Sequence, residues 1–343
     1  LRDKWIAEWA TVTIDIEDGT YDFTETLEIN KSSGTIKLLG NTTTPSNVLF
    51  RTNSDSLAAI KVTGKSTVEI DGIKLQNIGS NSSDVGLFAL AGSRVTLTTP
   101  GKLEIEDFNY GIYAEDFATY VNVPEVTIQA SNSGARLIYA EGATIRAEGF
   151  TGSGTFYSAI QAYYRARVFA DGGATVTNNN AGSTYDINVF HEGYVKAQSI
   201  SITSTSATGG YAVYCYSGLV DVSSSTISHG ANGVISYYNG TINVNSASVS
   251  KYGAQGGSGV GSRHGSVITA NSSQVDGFTN GYQSMERSYI SAENAAATNN
   301  GIGYYAYYQS YVQATGTTGN NSGNTVDYSP VGEGNGNSYI YQT

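Results

Sequence analysis

Glu115, Asp116, Glu141, His191 and Glu192, with Arg165 and Arg167 close by, are the side chains best placed to do chemistry. They recur at intervals near those of a repeating β motif. Carboxylates one repeat apart would approach the separation of about 5 to 5.5 Å used by retaining glycosidases, and two repeats apart would suit an inverting one. His191 could transfer a proton, and Arg165 and Arg167 could hold an acidic sugar. The same residues also describe a solvated charge ladder, in which acids and bases alternate along a face and relieve like-charge stacking. That reading takes precedence, so the sequence leans against an enzyme. A second cluster, Arg263, His264, Glu286 and Arg287, repeats the logic and is a weaker catalytic candidate. Histidine occurs only at 191, 229 and 264 with no nucleophile motif, so a Ser-His-Asp triad is not expected. His229, in a Ser-His-Gly stretch, reads as a loop residue. Cys215 is the single cysteine and reads as a small buried apolar residue, leaving no intramolecular disulfide and no thiolate zinc site. The acidic turn Asp15-Ile16-Glu17-Asp18 matches neither an EF-hand nor a nonapeptide calcium repeat, and no metal or cofactor is expected.

Elements with period-two alternation must position these groups. A tetrad of apolar, polar, small-apolar and polar residues recurs from Val68-Glu69-Ile70-Asp71, through Ile145-Arg146-Ala147-Glu148 and Ile242-Asn243-Val244-Asn245, to Val312-Gln313-Ala314-Thr315. Eleven copies span 244 residues, about 24 per repeat, within the range of solenoids. The first and third residues share one face of a strand and the second and fourth the other. Further alternating segments follow the tetrad (Val126-Thr127-Ile128, Ile200-Ser201-Ile202) and precede it by about eight residues (Ile160-Gln161-Ala162, Ile187-Asn188-Val189, Ile302-Gly303-Tyr304). Two or three short strands per coil, joined by Gly, Ser and Asn turns, predict an all-β parallel β-helix. Four prolines fit ladders paired on both sides. The predicted organisation is a helical N-terminal cap over 1–10, a parallel β-helix over 11–319, and a segment at 320–343 that departs from the repeat and caps the end or contacts another subunit.

Aromatic residues concentrate before the tetrads. Four positions back lie Phe117, Glu141, Tyr164, His191, Tyr216, Tyr238, His264, Glu286 and Tyr308. Five back lie Asp116, Ala140, Tyr163, Phe190, Cys215, Tyr237, Arg263, Met285 and Tyr307. Adjacent columns face oppositely unless a turn intervenes, so an aromatic stripe runs beside a turn. Tyr163, Tyr164, Tyr216, Tyr237, Tyr238, Tyr307 and Tyr308, with Arg165, Arg167 and Arg263, are the glycan-binding candidates, the rings stacking on sugars while hydroxyls hydrogen-bond. A subunit seam or an internal aromatic stack would select tyrosine too. Twenty-two of twenty-six tyrosines follow residue 130, which assigns the stripe to the later coils.

Composition excludes other classes. With 39% apolar residues and only 14% charged, the 343-residue chain is built to fold, unlike a disordered one. A net charge of −11 repels a phosphate backbone, so nucleic acid is not an expected partner. No apolar run is long enough to span a membrane, and the N-terminus has no signal-peptide pattern. Leu1 in place of an initiator methionine is expected of a piece of a longer protein.

The opening Val12-Thr13-Ile14-Asp15-Ile16-Glu17-Asp18-Gly19-Thr20-Tyr21, followed by Leu27-Glu28-Ile29-Asn30 and Ile36-Lys37-Leu38-Leu39-Gly40, resembles the first coils of pectin-lyase-like β-helix proteins. Gly301-Ile302-Gly303-Tyr304-Tyr305-Ala306 through Asn321, with Tyr328-Ser329-Pro330, resembles the β-helix of bacteriophage tail fibre and tailspike proteins. The resemblance implies a right-handed single-stranded parallel β-helix and a homotrimer located in the virion tail. Such a protein would bind bacterial surface polysaccharide and join other tail proteins through an upstream region. No lyase signature is present to carry catalytic residues across. The expected function is host attachment. The alternatives are a polysaccharide depolymerase, hydrolase or lyase, on the same fold, and a structural adhesin stalk.

Overall fold

The computed structural model describes residues 7, 9–30, 33–53, 58–79, 84–205, 209–253, 256–317, 321–331 and 338–342. The chain is an all-β parallel β-solenoid whose coils supply strands in turn to three sheets, A, B and C, of 14, 12 and 13 described strands. It divides into two compact units, 1–170 and 171–343.

In the first unit sheet A contains Thr67–Asp71, Arg94–Leu97, Tyr120–Asn122, Thr144–Arg146 and Arg167–Phe169, all parallel. These are the tetrads. Val68, Val95, Val121, Ile145 and Val168 stand in register and are fully buried, so the repeated β-branched position builds one continuous apolar column. Each such side chain contributes roughly 1.5–3 kcal/mol by leaving water. The second unit repeats the column with Val195, Val220, Ile242, Ile268, Ile290 and Val312. The segments after and before the tetrad form sheets B and C, for example Thr127–Ala130 and Ser158–Tyr163.

The corner leaving sheet A uses one residue in the left-handed region, including Ser199, Ser224, Ser246, Ser272 and Asn294 with φ between 53° and 59°. This conformation costs an ordinary residue on the order of 1 kcal/mol. Each N–H there is paired with a carbonyl of the next coil, such as Ser224 N to Asn245 O at 2.8 Å, and the repeated bonds hold the corner.

Several expectations change. Two described strands within 320–343 continue the ladders: Val326–Val331 pairs with Ile302–Tyr307 in sheet C, and Tyr339–Tyr341 pairs with Tyr311–Gln313 in sheet A. Pro330 is tolerated because its strand is the last of sheet C and needs partners on one side only. The predicted N-terminal helix falls almost wholly outside the described residues, among which Pro45–Asn47 is the one helical turn. His229 is not a loop residue; it ends the strand Thr226–His229 and is fully buried. Its Nδ1 accepts the Ala231 N–H at 2.9 Å, which assigns the ring proton to Nε2, and this atom lies 3.9 Å from Asp186 Oδ2. Burial lowers His229 to about 3, with Lys251 adding to the effect, and burial raises Asp186 to about 7 against the bond donated by Asn178. Cys215 is buried as expected, its thiol pushed up to about 12 by burial.

Candidate functional site

The sheet C strands carry two inward residues in succession and then alternate. Arg136–Glu141 shows the pattern: Leu137, Ile138 and Ala140 are buried, while Arg136, Tyr139 and Glu141 face outward. A strand of this pattern presents three outward side chains on sheet C.

In the first unit the middle outward column is Phe88, Tyr113, Tyr139 and Gln161. Phe88 and Tyr113 stack at 4.8 Å, Tyr113 meets Tyr139 edge-on at 4.9 Å, and Tyr139 reaches Tyr163 at 5.6 Å. The next outward column is Glu115, Glu141 and Tyr163. Glu115 and Glu141 are direct register partners, so their backbones stand one strand spacing apart, about 4.8 Å. Glu141 Oε2 accepts from the hydroxyls of Tyr113 at 3.2 Å and Tyr139 at 3.4 Å. Burial raises Glu115 above the usual carboxylate range, and the charges of Glu141 and Asp116 push in the same direction. The two carboxylates therefore differ in surroundings: Glu141 accepts two phenol hydroxyls, and Glu115 lies where burial and neighbouring carboxylates disfavour its charge. Burial and these carboxylates also push the Tyr113 phenol up, and burial raises Tyr163 to about 12.

In the second unit the platform comprises Tyr185, Tyr211, Tyr214, Phe190, Tyr216 and Tyr237. Tyr211 lies 5.1 Å from Tyr214, Tyr214 5.5 Å from Tyr237, and Phe190 stacks on Tyr216 at 5.6 Å. Each unit also carries projecting corner residues between sheets C and A. Tyr164 and Arg165 of the first unit, and His191 with Glu192, Tyr238 with Asn239, Glu286 with Arg287, and Tyr308 with Gln309 of the second, are consecutive left-handed pairs. Tyr164, Tyr238 and Tyr308 are consequently 52%, 45% and 46% exposed. His264 stacks on Tyr238 at 4.5 Å and places Nδ1 2.8 Å from Glu286 Oε2.

Counting from the tetrads slips wherever the corner between sheets C and A changes length, which also displaces Asp116, Ala140 and Cys215 from the five-back column. Glu141 and Tyr216 are followed by short corners and belong to the strand column with Tyr163, Phe190 and Tyr237, not to the corner column. Among the catalytic candidates, Glu115 and Glu141 are brought side by side as register partners in the first unit. Asp116 lies at φ 78° and accepts the Ala91 N–H at 2.9 Å, a bond that holds its corner. His191 and Glu192 belong to an exposed corner of the second unit. Arg167 projects from sheet A, on a different sheet from the platform. Among the glycan candidates, Tyr307 and Tyr308 pack against each other at 3.8 Å.

Sequence reasoning missed Phe88, Tyr110, Tyr113, Tyr139, Arg136, Gln161, Tyr185, Tyr211, Tyr214 and Gln283, all on sheet C. A signal was present: Ile112-Tyr113-Ala114-Glu115 recurs as Ile138-Tyr139-Ala140-Glu141, and aligning on that segment rather than on the tetrad gives the true column. Among the described residues no three His, Cys, Asp or Glu side chains converge as a metal site, and no helix is long and apolar enough to cross a membrane. The fold and the platform define a parallel β-solenoid with an aromatic outer face on sheet C. No family model, curated protein or solved structure matches the chain.

Proposed function

We propose that the outer face of sheet C binds a bacterial surface polysaccharide and that the chain is a host-attachment protein of the phage tail-fibre or tailspike type. It would act at the cell surface as a homotrimer joined to other tail proteins. The observation that carries this reading is the ladder of half-buried rings, Tyr113, Tyr139 and Tyr163 in one unit and Tyr214, Tyr216 and Tyr237 in the other, interleaved with carboxylate, amide and guanidinium groups. Rings presented at strand spacing offer repeated stacking surfaces to an extended glycan, and the polar groups between them fix its orientation. The test is calorimetric titration with oligosaccharides from capsule and lipopolysaccharide. Binding that weakens in Tyr139→Ala and Tyr214→Ala supports the reading, and unchanged binding in folded variants refutes it.

Glu115 beside Glu141 favours a second reading, a retaining hydrolase in the first unit. Glu141 would attack the anomeric carbon while Glu115 gives its proton to the departing glycosidic oxygen. Water, deprotonated by Glu115, would then cleave the glycosyl ester and restore Glu141. New reducing ends that disappear in both Glu115→Gln and Glu141→Gln would support it, whereas release surviving both changes would exclude this pair.

A further inference from the structure

Arg136 and Arg263 are the two half-buried arginines of the described chain with no carboxylate at ion-pair distance. Arg51 is paired with Asp22 and Arg146 with Glu148, while Arg94, Arg165, Arg167 and Arg287 are exposed to water. Arg136 Nε donates to Gln161 Oε1 at 3.0 Å, Nη1 to Gly134 O at 3.4 Å, and the guanidinium lies 5.2 Å from the Tyr110 ring centre and 5.5 Å from that of Tyr157. Arg263 is held alike: Nη1 donates to the Tyr237 hydroxyl at 2.8 Å, Nη2 to Gln283 Oε1 at 3.1 Å, and its guanidinium lies 5.4 Å from the Tyr237 ring centre. Gln161 and Gln283 face outward in the middle column yet are 1% and 6% exposed, so each clamp is rigid.

A partly desolvated cation without a counter-ion is costly, and in a chain of net charge −11 carboxylates are plentiful. Both units nevertheless hold a guanidinium with a neutral amide acceptor and an aromatic face, leaving N–H groups uncommitted out of its five. The Arg263 Nε–H is buried with no acceptor among the described residues, which leaves the Nη groups to meet a ligand. We infer that the missing anion belongs to the ligand: each unit carries an acidic-sugar subsite, at Arg136 and at Arg263, that takes the carboxylate of a uronic or ulosonic acid residue. The planar fork matches a carboxylate's two oxygens, and pre-orientation by glutamine and tyrosine lowers the ordering cost of binding. Arg136 and Glu141 stand at opposite ends of one strand, about 16 Å apart along the backbone, so the acidic sugar need not meet the carboxylate pair.

This inference rests on the polysaccharide reading, and the experiment separates the two. Uronate-containing oligosaccharides, the same molecules with carboxyls reduced to alcohols, and sulfated neutral oligosaccharides are titrated calorimetrically. The expected result is binding about tenfold or more tighter for the acid than for its reduced form, with the sulfated set weaker than the acid. Arg136→Gln and Arg263→Gln should each remove most of that preference and leave the reduced form within about twofold. Arg136→Lys and Arg263→Lys, which keep the stem and the charge, should also lose it, and they serve if a glutamine variant fails to fold. Equal binding of acid and reduced forms, or a preference unchanged in the variants, overturns the acidic subsites while leaving glycan recognition standing. Binding of neither form overturns both.

Discussion

Two tyrosine ladders occupy opposite faces of sheet C in the second unit. Inside, Tyr282 and Tyr304 are fully buried and stack at 5.0 Å and 8°, and Tyr304 continues to Tyr328 at 5.2 Å and 13°. Their hydroxyls are committed, Tyr282 to Ser273 and Ala296 and Tyr304 to the Ala295 carbonyl. Outside, Tyr214 and Tyr237 are half-buried and meet at 43°, and Tyr216 meets Tyr238 at 44°. One residue type thus does two jobs, and strand parity decides which: the inner ladder consumes its hydrogen-bonding capacity on the backbone, whereas the outer ladder keeps ring surface facing water. The outer face of sheet B sharpens the contrast. There Thr175, Ser201, Thr226 and Ser248 line a column with no ring at all.

The largest expected effect comes from breaking the inner ladder. Tyr282→Ala should cost about 3–5 kcal/mol in denaturant unfolding, because a fully buried ring is lost and a cavity remains. Next comes the buried pair beneath the same platform. Asp186 is raised from 3.8 to about 7, so its contribution is complete below 3.8 and is lost as pH rises toward 7. His229 is lowered from 6.5 to about 3, so its contribution is complete above 6.5 and is lost as pH falls toward 3. The two oppose each other between about pH 4 and 6.5, where wild-type stability should be nearly flat. Asp186→Asn should expose a loss on acidification and His229→Gln a loss on alkalinisation, each on the order of 2–4 kcal/mol by unfolding measured across that window. Smaller still, Tyr214→Ala and Tyr237→Ala should each change stability by about 1 kcal/mol or less beyond lost ring contacts, yet weaken glycan binding about five- to tenfold. Least of all, Thr203→Ala and Thr226→Ala on sheet B should alter stability by under about 0.5 kcal/mol and leave glycan affinity unchanged.

The solenoid was legible because one β-branched column repeats without interruption from Val68 to Val312, and stacking demands that regularity. The outer face was less so. Corner length varies between coils, which slipped Glu141 and Tyr216 out of their column, and the double inward step at Leu137-Ile138 hides Arg136 from a strict alternation. Tyr282, which shares a strand with outward Gln283, could be assigned to the interior only once the register was known. His229 looked like a turn residue because Gly230 follows it, and nothing local reports that Asp186, more than forty residues earlier, lies across the interior.

The central claim, that the outer face of sheet C rather than its inner ladder or sheet B recognises glycan, is tested most directly by one titration. A surface-polysaccharide oligosaccharide is titrated into the wild type and into the Tyr214→Ala/Tyr237→Ala double variant, with thermal unfolding followed in parallel. A variant that unfolds cooperatively but binds at least about tenfold more weakly is the predicted result. A folded double variant with wild-type affinity would contradict the account.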